Sequence, residues 1–371
     1  MAAPFQWHPG TAPLNPRWVL HTPLLPDELL SSWLVRAALA QGCDPLVLTG
    51  CVWPGWRIWT GDPDRKLSPK QSHALAEVSG IPAASFQAAF LENVAGATTR
   101  GSLEKKQIWP WILVLGMRNR KWRGGLQYCP LCLREHPSFY RIPWRLAWHT
   151  VCAEHRIRLL DRCPDCHAPV EPHRLSPEDS ITRCARCGFS LEEAPVLPGR
   201  EMALAFQNRG DTAALSGTGF FGEEELPGFA WFDLSRILIN LMRRASKRPS
   251  SGIADMLRIL GIPAEDLKTP STGLPWEYLS TEERESFGEA AGIILNSGPG
   301  AFLEAAKKSG VSAKSLWDFR ERPPRILLDL AEALPKPVRT KRKSPSGEKT
   351  PRSRRSVERM LARLERKAKN T

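Results

Sequence analysis

Between Cys129 and Cys187 the chain carries four ligand pairs, each with two residues between its members: Cys129–Cys132, Cys152–His155, Cys163–Cys166 and Cys184–Cys187. A tight turn at that spacing aims both side chains at one ion, and two such turns complete a tetrahedron. Seven thiolates and one imidazole are donors that Zn2+ favours, enough for two closed sites. Chain order groups Cys129, Cys132, Cys152 and His155 into one site and Cys163, Cys166, Cys184 and Cys187 into the other. An interleaved pairing meets the same spacing. His149 is an alternative to His155 without the pair spacing, and His136, His167 and His173 read as surface histidines. Disulfides or unliganded thiols are the competing reading, which four matching pairs disfavour. A catalytic zinc keeps a position open beyond three protein ligands, so four per ion point to two structural Zn2+ whose binding is part of folding.

Around this module, 371 residues make room for two or three domains. The most apolar run, Trp109 to Met117, is too short to cross a bilayer, and residues 1–10 lack the pattern of a secretory signal. Thiolates kept for metal suit a reducing compartment, so the expected location is cytoplasmic and nucleoid-associated, with no membrane partner. Cys43 and Cys51 stand outside the pairs and read as small buried residues. Charge is unevenly placed. From Lys336 onward fourteen Lys/Arg face three Glu, which is +11 of the chain's +13. A basic tail on a nearly neutral body implies contact with a polyanion, most simply DNA.

The expected fold is mostly α, with small zinc-ribbon-like β elements around the ligand pairs. The expected divisions are an N-terminal helical domain (1–128), the tandem zinc module (129–190), a C-terminal helical domain (191–335) and a disordered basic tail (336–371). After an irregular lead-in over residues 1–22, Leu29, Leu30, Trp33, Leu34, Ala37 and Ala38 recur at helical spacing, with Asp27 and Glu28 at the helix start and Gly42 at its end. Residues 70–90 read as two short helices about Gly80, and the offsets recur over 301–319 about Gly310. Both fit a helix-turn-helix or, equally, a helical hairpin in a core. As DNA readers, Ser312, Lys314 and Ser315 would open the second recognition helix, with Ser85 and Gln87 as weaker equivalents in the first. Arg118, Arg120, Lys121 and Arg123 form a basic cluster suited to phosphates. Residues 191–226 read as a glycine-containing connector, and helices follow over 231–244, 250–261 and 278–296, the last capped at Ser280 or Thr281 ahead of Glu283. Helix continues from Leu316 to Leu334, broken at Pro323-Pro324, and 356–369 reads as a basic helix formed on binding.

Taken together these motifs resemble the TniQ (TnsD-like) family of transposon target-selection proteins. The resemblance rests on Pro26 to Arg36, the region 70–90, Tyr128-Cys-Pro-Leu-Cys-Leu133, Phe139-Tyr-Arg-Ile-Pro-Trp144, Cys152-x-x-His155 and Cys163-Pro-x-Cys166. It covers roughly residues 20–190 and departs from the family pattern at Ala153, where a proline is common. It implies a protein that binds DNA, or a target-bound complex such as a CRISPR effector, and recruits a transposon AAA+ ATPase to direct insertion.

Two other classes compete. A zinc-containing helix-turn-helix transcription regulator would share the same signals but need only its operator. A metal-dependent DNA-processing enzyme is disfavoured because no strand-rich segment presents three carboxylates, and no Gly-x4-Gly-Lys-Ser/Thr loop marks an ATPase.

Overall fold

The structure is a computed structural model. It describes residues 17–335 except 105, 116, 119–120, 123–124, 268–272 and 319–320, together with scattered positions between 353 and 361. The N-terminal apolar periodicity forms α1 (Leu30–Ala40), which buries Leu30, Trp33, Leu34, Ala37 and Ala38. Its carboxylates do not act as dipole partners. Asp27 takes a left-handed backbone (φ 57°). Glu28 is buried and accepts from Ser32 Oγ (2.9 Å) and Arg36 Nη1 (2.6 Å).

After α1 come α2 (Pro45–Val52), whose Asp44 cap accepts from Val47 N, and α3 (Pro69–Ser79), which opens with a Ser68/Gln71 capping box. Gly80 (φ 75°) ends α3, a conformation a side chain would strain. The element beyond this turn is a 3-10 helix, Ala83–Ala89, tightened by bonds such as Ser85 N to Pro82 O. It buries Phe86 and leaves Ser85 and Gln87 exposed. Next is α4 (Leu91–Ala97), then a minimal hairpin of β1 (Met117–Arg118) and β2 (Lys121–Trp122).

From α5 (Pro130–Arg134) to residue 200 the chain is held by short 3-10 turns and isolated bridges, among them Tyr128–Leu160, Val151–Arg158, Arg162–Pro169 and Arg183–Ser190. The segment read as a connector instead contains α6 (Glu201–Ser216) and a hairpin of β3 (Thr218–Phe221) with β4 (Glu224–Pro227). Its glycines mark tight packing rather than slack. A Cβ on Gly210 would meet the Trp148 ring at 2.6 Å, and one on Gly219 would meet Trp231 at 2.5 Å. Beyond them lie α7 (Gly228–Ser246), α8 (Gly252–Ile259) and α9 (Thr281–Lys308), the last capped by Ser280 with Glu283 and broken at Gly298 (φ 78°) before Pro299. Then α10 (Ala313–Leu316) is a single turn, and helix resumes only past the prolines, in α11 (Arg325–Glu332). No helix among the described residues is long and apolar enough to cross a membrane.

Met1–Pro335 form one contact unit and Lys336–Thr371 a second. Most of the tail, and residues 1–16 of the lead-in, lie outside the described residues; within the tail Arg354, Val357, Glu358, Met360 and Leu361 are helical. In the large unit two buried arginines join distant segments. Arg145 donates to Asp64 (2.6 Å), Asp62 (2.7 Å) and Leu113 O (2.8 Å), while Asp64 also accepts from Ser31 N (2.7 Å). Arg284 on α9 donates to Ala147 O (2.9 Å), His149 O (3.1 Å) and Gln127 Oε1 (2.8 Å). Burial of a guanidinium is tolerable when most of its donors are spent in this way, as they are here with the exception of Arg145 Nε. The ligand-bearing segment and α9 share one apolar core, which Leu29, Val35, Leu91 and Ala95 join. In turn α1, α3 and the 3-10 helix pack a second cluster around Trp33, Leu75 and Phe86 that Arg145 and Asp64 tie to the first.

Candidate metal centres and nucleic-acid face

Three of the four ligand pairs use one backbone device. In each, the first cysteine's N–H donates to a carbonyl five residues on: Cys152 to Ile157, Cys163 to Ala168 and Cys184 to Phe189, at 2.8, 2.9 and 2.9 Å. The residue after the second ligand turns left-handed: Arg156 (φ 54°), His167 (φ 56°) and Gly188 (φ 75°). Each donates its N–H back to the first cysteine's carbonyl. The Cys129 pair differs. Cys129 caps α5, its Sγ accepts from Cys132 N at 3.4 Å, and Pro130 supplies the first helical position without needing a donor.

These turns gather the side chains in chain order. Cys129, Cys132, Cys152 and His155 form one tetrad; Cys163, Cys166, Cys184 and Cys187 form the other, with ligand atoms in each within 4.8 Å of one another. Sulfur separations are 3.5 Å (Cys132–Cys152), 3.6 Å (Cys163–Cys187) and 3.7 Å (Cys166–Cys184). A disulfide would need about 2.05 Å. Thiolates about 2.3 Å from a shared tetrahedral centre stand about 3.8 Å apart, close to what is seen. His155 Nδ1 lies 3.6, 3.3 and 3.6 Å from the Cys129, Cys132 and Cys152 sulfurs, which makes Nδ1 the ligand atom. Burial pushes the Cys163 thiol up to about 12, and a bound cation would favour its thiolate. Each tetrad can hold a metal ion, and the donor set is that of zinc.

Around the first tetrad a charged frame was not foreseen from sequence. His155 Nε2 faces Glu135 Oε1 at 3.3 Å, fixing the ring so that Nδ1 points inward. Arg141 in turn holds Glu154 (2.6 Å) and reaches Glu135 (3.7 Å). Glu135 lies three residues beyond Cys132, and that proximity was the available signal.

The other candidate residues fall apart from the tetrads. His149 Nε2 meets Asp211 Oδ1 at 2.6 Å and is not among the ligands. His136 and His167 are exposed, but His173 is not a surface histidine. It is half-buried and stacks on Trp59 (5.1 Å, 14°), and burial, with Arg174 adding, lowers its pKa to about 4. Cys51 is exposed and Cys43 half-buried, so neither is a core residue. Of the proposed DNA contacts, Arg118 and Lys121 pair across the β1–β2 hairpin, while Arg120 and Arg123 lie outside the described residues. Ser312 precedes α10, Lys314 is exposed, and Ser312 Oγ meets Ser315 Oγ at 2.9 Å.

The two most distinctive sequence motifs pack on each other. Leu29 N donates to Tyr140 O (3.0 Å) and Ile142 N to Asp27 O (2.6 Å). Tyr140 N donates to Ser32 Oγ (2.9 Å), and Glu28 bridges Arg141. Trp33 Nε1 reaches back to Thr22 O (2.9 Å). Thus Pro26–Arg36 and Phe139–Trp144 are one structural unit, set directly behind the first tetrad. The sequence model of the TniQ family matches residues 19–159, the span that contains this unit. A comparison with curated proteins returns no match.

Proposed function

Through residues 19–159 the chain belongs to the TniQ family, whose domain is associated with transposition target selection, and on that footing we propose that it directs transposon insertion. In this reading it binds DNA or a target-bound complex, recruits an AAA+ ATPase of the same element, and performs no chemistry itself. Both tetrads hold structural Zn2+, with Cys129, Cys132, Cys152, His155, Cys163, Cys166, Cys184 and Cys187 as ligands. The carrying observation is that the family match falls on a structural unit, the α1 motif docked on the 139–144 motif behind the first tetrad. The basic tail supplies phosphate contacts that raise affinity without choosing sequence.

The test is co-purification of the full chain with the ATPase encoded in its own element, with and without duplex DNA. Retention of the ATPase supports the reading. Binding to one operator with no ATPase retained would make it a zinc-containing regulator instead. DNA nicking that needs Mg2+ and disappears with one carboxylate substitution would make it an enzyme.

A further inference from the structure

The structure assigns a phosphate-binding cleft to the junction of α7, α8 and α10. It holds about 410 Å3 and is lined by Arg244, Lys247, Arg248, Ser251, Ile253 and Ser315, with no carboxylate among them. Three chain ends converge to build it. The C-terminal turn of α7 is basic and leads into Lys247 and Arg248, both exposed. The start of α8 sits against the turn after α9, since a Cβ on Gly252 would meet Ser309 O at 2.9 Å. Arg244 Nη2 donates to Leu316 O at 2.7 Å, which fastens α10 across the opening.

Charge decides the ligand class. Arg244 is half-buried near Glu321 and Asp318, which offset part of its charge. Lys247 and Arg248 form no ion pair with any described residue. Cations held side by side without counter-charge, beside the hydroxyl of Ser315, suit an anion with several acceptor oxygens. The occupant is the DNA backbone.

This assignment also reinterprets α10. Four helical residues span about 6 Å, about half the width of a major groove, so α10 cannot lie along the groove as a reading helix. Ser315 and its neighbours therefore fix position on phosphates rather than select bases. The inference rests on the DNA-binding reading above and deepens it.

The experiment measures affinity of the full chain for two unrelated duplexes from about 50 to 200 mM salt. Lys247→Ala/Arg248→Ala should reduce the slope of log affinity against log salt by about 1.8, equally for both duplexes, because each phosphate contact contributes about 0.9. Ser315→Asp should weaken both by the same factor. Arg57→Ala/Lys70→Ala, two exposed cations elsewhere, should leave the slope unchanged. Melting temperatures of all variants check the fold. An unchanged slope in the cleft variant, with wild-type binding intact, overturns the cleft and leaves DNA binding to other segments. Loss of affinity for one duplex only would make the site a base reader and overturn it as well. No duplex binding by the wild type at low salt sinks both readings.

Discussion

At the first tetrad three cysteines are buried and His155 half-buried, whereas at the second Cys187 is exposed and Cys166 half-buried. With Zn2+ bound, three thiolates leave one excess negative charge and four leave two. The first tetrad is rooted in regular structure: Cys129 caps α5, and Tyr128 and Leu160 exchange backbone bonds beside it (2.8 and 2.9 Å). The second is carried by a loop with one 3-10 turn, Pro172–Arg174, anchored by Tyr128 Oη to Arg162 O (3.1 Å), Tyr140 Oη to Ile181 O (3.3 Å) and the Trp59–His173 stack. Similar knuckles thus serve different ends. A metal at the first tetrad would close the core behind the 26–36 and 139–144 motifs, while one at the second, where Cys163 and Cys184 are buried but Cys166 and Cys187 are not, would order a more exposed lobe.

The largest effect that would break this comparison is a ligand loss at each site. Cys129→Ser should remove one zinc and unfold much of the large unit, because three of the four ligands there are buried in its core and metal binding is folding free energy. The loss should be on the order of 5 kcal/mol, a large share of ordinary domain stability. Cys187→Ser should also remove one zinc yet leave cooperative unfolding of the helices largely intact. Zinc per chain together with urea unfolding reads both. Equal damage from the two variants would abolish the distinction.

Next comes the charged frame, present at the first tetrad. Glu135→Ala should weaken zinc there about 10–100-fold, since a freed imidazole loses its orientation. Competition with a chelator should then show one weakened ion and one unchanged. Two weakened ions would mean that Glu135 acts through the fold and not through His155.

A smaller effect tests the anchor of the second lobe. Unfolded, the His173 imidazole titrates near 6.5; folded, burial lowers it to about 4. Between these values the unfolded chain binds more protons. His173 therefore contributes stability that is present above about pH 6.5 and lost as pH falls toward 4. His173→Phe keeps the ring on Trp59 and removes the titration. Zinc-saturated wild type should lose on the order of 1–3 kcal/mol more than this variant between about pH 7 and pH 4.5. Parallel pH profiles would show that the stack does not constrain the imidazole.

What was legible in sequence was local. Ligand spacing, the Ser280–Glu283 capping box, the stop at Gly80 and the amphipathic period of α7 all depend on residues within a few positions. What was not legible depended on partners far away. Gly210 makes α6 look like a connector until Trp148 is seen lying on it. Glu28 looks like a dipole partner, yet it serves Arg36 and Ser32 from inside the core. The Arg145–Asp62–Asp64 junction joins residues more than eighty positions apart. Even α10 fits its motif by residue type, yet it is a single turn that ends at the extended backbone of Trp317.

The smallest effect returns to the device the two sites share. Arg156 follows the last ligand of the first tetrad, and His167 and Gly188 follow ligands of the second, all three left-handed. A side chain in that conformation costs about 1–2 kcal/mol, whereas glycine costs about 0.5–1 kcal/mol through its freer unfolded chain. The two effects nearly cancel, so His167→Gly, at an exposed ring, should stabilise by no more than about 1 kcal/mol. Gly188→Ala should destabilise by a similar amount. If the second lobe is peripheral, both changes should appear in zinc retention by that site and hardly in global unfolding. A His167→Gly change that shifted the main unfolding transition would tie the second tetrad to the core after all.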